Sequence, residues 1–320
     1  MRAALFIAAC ALGVLCLPAV GSAAPPVVGA TEHPLSTPVY QAKPGGQFTA
    51  ATAWNGLRSK YAVVWVDGNT IRGEFVSTAG ARDAPTYSFS IPTGISPSNL
   101  DIAVQDTHMF LIVWEHNGAI YGARVLDDNP LGSPFVISDE PNARDSAASQ
   151  REPAVASNGT DFLVAWADAR RNQTSGSNHN RDGFDLFAAR IDAAVFSSDL
   201  ILDDDGFVVV EEGSVQEIAP SSDGGECDFG FDQCVFAEEQ RAPTIAWDGA
   251  NYLVAWVGQT PSAASAHIRA RFVTSAGAVS GGAFAVSDPA SPSESEPDKI
   301  WNGANSVYLL VWRTAAGSGD

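Results

Sequence analysis

The chain has 320 residues, with 37 acidic side chains against 18 basic ones and a formal net charge of −19. Nucleic acid is a poor partner for such a surface, because its phosphate backbone rewards clustered Lys and Arg, and an anionic membrane surface is equally disfavoured. The balance suits a solvated exterior or divalent cations.

The first segment is a targeting signal by composition. Met1-Arg2 gives a minimal positive start, Ala3 to Val20 is apolar, and Gly21-Ser-Ala23 offers small residues at the cleavage positions. Residues 1–23 therefore read as a secretory signal peptide cut between Ala23 and Ala24, and no other segment is long enough to span a bilayer. An N-terminal segment, 24–47, follows; within it Pro38-Val-Tyr-Gln-Ala42 reads as a strand.

From residue 48 to 313 the sequence repeats itself. One phrase recurs five times around tryptophan: Tyr61-Ala-Val-Val-Trp65, Phe110-Leu-Ile-Val-Trp114, Phe162-Leu-Val-Ala-Trp166, Tyr252-Leu-Val-Ala-Trp256 and Tyr308-Leu-Leu-Val-Trp312. A strand-rich period of roughly 50 residues marks a propeller or array. Before four of the phrases lies a first strand ending in Asn55-Gly56, Asn158-Gly159, Asp248-Gly249 or Asn302-Gly303. Such pairs between apolar runs are strong hairpin signals, because both residues tolerate positive φ. Third runs follow at Ile71–Val76, Ile120–Val125, Leu186–Ile191 and Ile268–Val273, each with a small residue in third place (Gly73, Gly122, Ala188, Ala270) that leaves room for a neighbouring sheet. Fourth runs are Tyr87–Ile91, Phe135–Ser138, Phe207–Val210 and Phe284–Ser287. Four short antiparallel strands per repeat is the plan of a propeller blade. The expected fold is all-β: a β-propeller of about five four-stranded blades, the last incomplete. Either the Pro38–Ala42 strand closes the ring against that last blade, or the chain is a piece of a longer array. Residues 314–320 form a tail.

The third repeat is the longest, with two insertions. One, Arg170 to Gly183, is polar and lies between strands two and three. The other is acidic and spans 203–240. Asp203, Asp205, Asp223, Asp228 and Asp232 offer the oxygen ligands that calcium prefers, yet their spacing completes no calcium loop. Calcium and a solvated acidic loop both stay open; no other cofactor is expected. Cys227 and Cys234, the two cysteines left after signal cleavage, are expected to form a disulfide in an exported chain.

Candidate ligand-binding residues follow from the register. Gln150-Arg151-Glu152-Pro153 and Gln240-Arg241-Ala242-Pro243 match, so Arg151 and Arg241 should occupy equivalent rim positions of adjacent blades. There they would clamp an anion, or pair with local acid such as Glu152 and hold the blade junction. Trp54, Trp247 and Trp301 end their first strands and offer either a platform for sugars or inter-blade packing. Asp168 and Asp185 flank the polar loop, where a carboxylate pair for glycoside hydrolysis competes with the commoner turn-bonding role. The five histidines share no ligand spacing, and no nucleophile elbow or phosphate loop occurs.

Pro153 to Trp166, then Asp168, Arg170 and Asp185-Leu-Phe-Ala-Ala-Arg190, resembles secreted bacterial repeat proteins, common in myxobacteria and related Gram-negative lineages, with a Leu-Val-Val-Trp core. The resemblance implies a β-propeller and export; it supplies no catalytic residue. The centres of the first strands read Thr52-Ala53, Ile102-Ala103, Val155-Ala156 and Ile245-Ala246, which are chemically inert. The expected function is therefore an exported, non-enzymatic binding or scaffold module. It would be a monomer, secreted or held in the periplasm or at the outer cell surface, with a carbohydrate or protein ligand. The alternative is a glycan-active hydrolase or lyase on the same scaffold.

Overall fold

The computed structural model describes residues 47–82, 88–94, 96–105, 108–138, 150–169, 184–194, 201–203, 207–210, 239–259, 265–288 and 292–315. Four four-stranded antiparallel sheets and one two-stranded sheet follow each other along the chain. Blade one holds β1 (Gln47–Asn55), β2 (Lys60–Asp67), β3 (Thr70–Ser77) and β4 (Ser88–Pro92). Blade two holds β5 (Ser98–Val104), β6 (Met109–His116), β7 (Ala119–Leu126) and β8 (Asn129–Val136). Blade three holds β9 (Gln150–Ser157), β10 (Asp161–Asp168), β11 (Asp185–Asp192) and β12 (Phe207–Val210). Blade four holds β13 (Glu239–Trp247), β14 (Asn251–Gln259), β15 (His267–Thr274) and β16 (Val279–Ala285), and blade five only β17 (Glu294–Asn302) and β18 (Val307–Thr314). Each first strand packs on the first strand of the next blade, β1 on β5, β5 on β9, β9 on β13 and β13 on β17. The fold is a β-propeller, with the first strands innermost. The Pro38–Ala42 strand lies outside the described residues.

The core is divided among blade junctions rather than collected in one place. Ala62, Val64 and Val66 of blade one meet Phe110, Ile112 and Trp114 of blade two. Leu111 and Val113 then meet Phe162, Val164 and Trp166. Leu163 and Ala165 meet Tyr252, Val254 and Trp256; Leu253 and Ala255 meet Tyr308 and Leu310. Strand alternation explains this, since odd and even residues face opposite neighbours. Trp114, Trp166 and Trp256 are fully enclosed. Trp65 and Trp312, expected at the same depth, are only half-buried, because their blades stand at the two ends of the array.

Two local expectations need a different physical reason. Asn55, Asn158, Asp248 and Asn302 do not carry positive φ at the hairpins. Their side chains instead accept the backbone N–H groups of the turn: Asn158 from Thr160 and Asp161 at 2.8 and 2.7 Å, Asp248 from Ala250 and Asn251 at 2.7 Å each. The small residue of strand three makes room within its own blade rather than for a neighbouring sheet. A Cβ on Gly73 would lie 2.1 Å from the Phe89 ring of β4, and one on Gly122 would lie 2.8 Å from Ile137.

A third feature has no signature in sequence. Thr49, Asn99, Glu152, Ala242 and Glu296 have φ of 54°, 49°, 56°, 47° and 53°, and all stand at one equivalent position of the five inner strands. Each marks a β-bulge, where the register with strand two shifts. Left-handed backbone at a non-glycine residue costs about 1–2 kcal/mol, so neighbouring contacts must hold it.

Candidate functional site

At two of the five bulges, Glu152 and Ala242, the contact is a carboxylate reaching from the preceding blade. Glu115, at the end of β6, accepts the N–H of Glu152 at 3.2 Å and the side-chain amide of Asn99 at 2.7 Å. The Glu152 carboxylate in turn accepts the N–H of Ala242 at 2.7 Å. Glu152 thus fastens blade three to blade four through a backbone N–H. Arg151 and Arg241 do converge, as their register implies, but on an aromatic ring: their guanidinium carbons sit 4.0 and 5.2 Å from the centroid of Phe184. Beside them Asp168 and Asp185 face each other across β10 and β11. Both are buried, and Asp168 accepts the indole N–H of Trp166 at 2.8 Å. Asp168, enclosed and bonded to a core tryptophan, is a structural group, and Asp185 is enclosed beside it.

The second-strand tyrosines hold the platform tryptophans. Trp54, Trp247 and Trp301 tilt against Tyr61, Tyr252 and Tyr308 with centroids 4.8, 4.7 and 4.6 Å apart. Trp247 packs into the junction between blades three and four, so it is a packing residue; Trp54 remains exposed. Burial raises the Tyr252 hydroxyl well above the usual phenol range, chiefly by desolvation, and does the same to Tyr308. Neither is a phenolate donor at neutral pH.

Among the proposed calcium ligands, Asp203 is committed elsewhere. It holds Arg190 through both carboxylate oxygens, at 2.8 and 3.0 Å, and also accepts the Arg190 backbone N–H at 2.8 Å. Asp205, Asp223, Asp228, Asp232, Cys227 and Cys234 lie outside the described residues. Among the described residues no cluster of His, Cys, Asp and Glu is arranged to hold a metal ion, and no helix is long and apolar enough to cross a membrane.

The inner strands are not chemically inert. Asp101, one residue before the Ile102-Ala103 centre, lies on β5 with its carboxylate turned to blade three. It accepts the N–H of Val155 at 2.9 Å and that of Ile102 at 2.9 Å. Burial raises its pKa above the ordinary 3.8; Lys299 and the two backbone donors pull it down, Asp298 adds to the rise, and burial prevails. Yet Asp101 keeps part of its surface in solvent. Asp298 is the equivalent residue of blade five, and Lys299 stands where the other blades carry Thr52, Ile102, Val155 and Ile245. Asp101 feels the charge of both. The signal was present in sequence as acids at one repeat position, Asp101 and Asp298, but alignment on the apolar pairs passed over it.

No protein-family model matches the sequence, and no curated protein does. Solved structures share the architecture. The chain is similar to the GH93 alpha-L-arabinofuranosidase of Fusarium graminearum in complex with arabinobiose, with 10% identity, 83% of this chain and 74% of that chain covered, and a TM-score of 0.47. It is also similar to the catalytic domain of the GH62 alpha-L-arabinofuranosidase of Coprinopsis cinerea (11% identity, 88% and 89% covered, TM-score 0.45). A third is the Dos1 propeller (9% identity, 88% and 74% covered, TM-score 0.41). At these values the likeness is one of architecture. Two of the three carry the names of glycoside hydrolases, which runs against the expectation of a non-enzymatic binding or scaffold module. That expectation is corrected accordingly.

Proposed function

We propose that the chain is a glycan-active hydrolase whose reaction centre is the axial group of Asp101, Asp298 and Lys299. One observation carries the reading: an inner-strand carboxyl, Asp101, is pushed toward its protonated form by burial, and a second acid, Asp298, stands at the equivalent position of blade five. Glycoside hydrolysis needs one carboxyl that keeps its proton, to give it to the leaving-group oxygen, and a second that is ionised, to activate water or attack the sugar. Separating the environments of two acids is how a protein assigns those roles. Asp101 has the donor's environment; Asp298, exposed on blade five, is the candidate for the second acid. The Lys299 ammonium acts on Asp101, where it opposes the effect of burial. The ligand is a carbohydrate, and the hydrolase acts after export, given the 1–23 signal. Arabinose-containing polysaccharides are the first substrates to try.

The experiment is sugar release by the purified mature chain from arabinan, arabinoxylan, xylan and cellulosic oligosaccharides. The expected result is release from at least one, reduced at least ~100-fold in Asp101→Asn, as removal of a general acid gives. Folded protein that releases nothing from any of them, or an Asp101→Asn variant as active as the parent, overturns the reading.

A further inference from the structure

Blade four lacks a carboxylate that blades one and three place at the end of strand two, and we propose that the pit left over Gly258 binds the carboxylate of a ligand. The position in question lies two residues past each strand-two tryptophan. Blade one has Asp67 there and blade three has Asp168. Both serve as acceptors. Asp67 takes the Nε–H of Arg72 at 2.6 Å, and Arg72 stands opposite Trp65 on strand three. Asp168 takes the indole N–H of Trp166 at 2.8 Å. Blade four has Gly258 at this position and yet keeps both kinds of donor: Trp256 precedes it by two residues, and Arg269 stands opposite Trp256 on β15. The Trp256 indole N–H and the Nε and Nη2 of Arg269 are buried, with no hydrogen-bond partner among the described residues.

Gln240 forms another wall. It stands opposite Gly258 on β13 and is fully enclosed, and neither its side-chain nitrogen nor its side-chain oxygen has a partner among the described residues. Its equivalents are engaged: Gln150 accepts the Ser138 hydroxyl, and Glu294 accepts the Ile268 N–H at 3.2 Å and the Trp312 indole N–H at 3.0 Å. Where blades two and four end their fourth runs in Ser138 and Ser287, blade three ends its own in Val210, which has no hydroxyl. Residues opposite one another in an antiparallel pair share a face, as do residues two apart on one strand. Trp256 packs against blade three, and Arg271, two past Arg269, reaches the Val209 carbonyl of that blade at 2.9 Å. Gly258, without a side chain, therefore lies among Gln240, Trp256, Arg269 and His267. Nearly all the polar atoms aimed there are N–H donors, and buried donors without an acceptor are costly. An acceptor-only group the size of an aspartate head fits: a carboxylate takes one edge of the guanidinium at two points and the indole N–H beside it. Arg269 and His267 keep part of their surface in solvent, which gives a ligand its way in. The pit is separate from the Asp101 group and does not depend on the reaction proposed there.

The test follows the indole N–H signals of the mature chain, carrying isotope-labelled tryptophan, by NMR at constant ionic strength. Trp256→Phe assigns the signal by its loss. Acetate, galacturonate and neutral galactose are each added up to ~50 mM, the range of weak small-ligand affinities. Acetate and galacturonate should shift the Trp256 signal saturably, and galactose should not. Galacturonate bound at least tenfold tighter than acetate marks an acidic sugar as the source of the carboxylate; affinities within tenfold mark a small free carboxylate. Arg269→Met and Gln240→Leu should each weaken binding at least tenfold, with the fold checked by circular dichroism. Gly258→Asp restores the acid of blades one and three. It should move the Trp256 signal toward its bound position with no ligand added, abolish the response to acetate, and raise the unfolding temperature above that of the parent. The parent titration decides the matter even where a variant does not fold. No saturable shift with either carboxylate, which is also the result if another part of the chain already fills the pit, overturns the proposal. So do an equal response to galactose, an unchanged affinity in Arg269→Met, and a Gly258→Asp chain that binds acetate as the parent does.

Discussion

Replacing the junction tryptophans one at a time should separate packing from hydrogen bonding. Trp166 and Trp256 are equivalent and both fully enclosed. They differ in one contact: the Trp166 indole N–H donates to buried Asp168 at 2.8 Å, whereas that of Trp256 has no hydrogen-bond partner among the described residues. Truncating either to alanine should cost about 3–5 kcal/mol through lost burial and the cavity. Trp166→Ala also strips a donor from a buried carboxylate, adding about 1.5–3 kcal/mol. Phenylalanine isolates that second part, since it leaves much of the volume filled in both. Trp166→Phe should therefore be the more destabilised of the two by about 1.5–3 kcal/mol. Trp65→Ala, at the open end and half-buried, should cost the least. The assay is urea unfolding followed by circular dichroism, with midpoints compared at equal slope. Equal losses for Trp166→Phe and Trp256→Phe, or a Trp65→Ala loss as large as Trp166→Ala, would refute the account of the junctions.

Gly73→Ala should destabilise blade one by about 1–3 kcal/mol through overpacking, because the new Cβ meets the Phe89 ring; pairing it with Phe89→Leu should recover part of the loss in a thermal melt. Glu152→Ala should cost about 1–3 kcal/mol by orphaning the Ala242 N–H, while Glu152→Gln, which keeps an acceptor oxygen, should stay near the parent in the same melt. For Asp101 the folded pKa lies above 3.8, so the folded state binds the proton more tightly. Its contribution to stability is complete below that value and is lost as pH rises through the folded pKa. Unfolding of Asp101→Asn and the parent, measured from about pH 4 to about pH 7, should show the variant gaining on the parent as pH rises. A difference that does not change with pH would show that the carboxyl titrates as in an open chain.

Sequence determined the blades. The tryptophan phrase, the Asn-Gly and Asp-Gly hairpins and the two-residue alternation fix which segments are strands and in what order they pair, because these signals are local. The equivalence of Arg151 and Arg241 was legible for the same reason. What sequence could not give is what each face meets. The same alternation that is enclosed on both sides in β10 is open on one side in β18, and only the stacking order of blades decides that. The shared left-handed bulge was illegible, since Thr49, Asn99, Glu152, Ala242 and Glu296 have no side-chain chemistry in common, and at Glu152 and Ala242 the backbone is held by a carboxylate from the preceding blade. Arg151 and Arg241 share a phenylalanine ring because Phe184, outside both of their strands, is brought between them. Asp101 became chemically distinctive only when β9 and β17 were placed around it: its proton affinity is set by burial among strands far away in sequence, and no run of neighbouring residues encodes it.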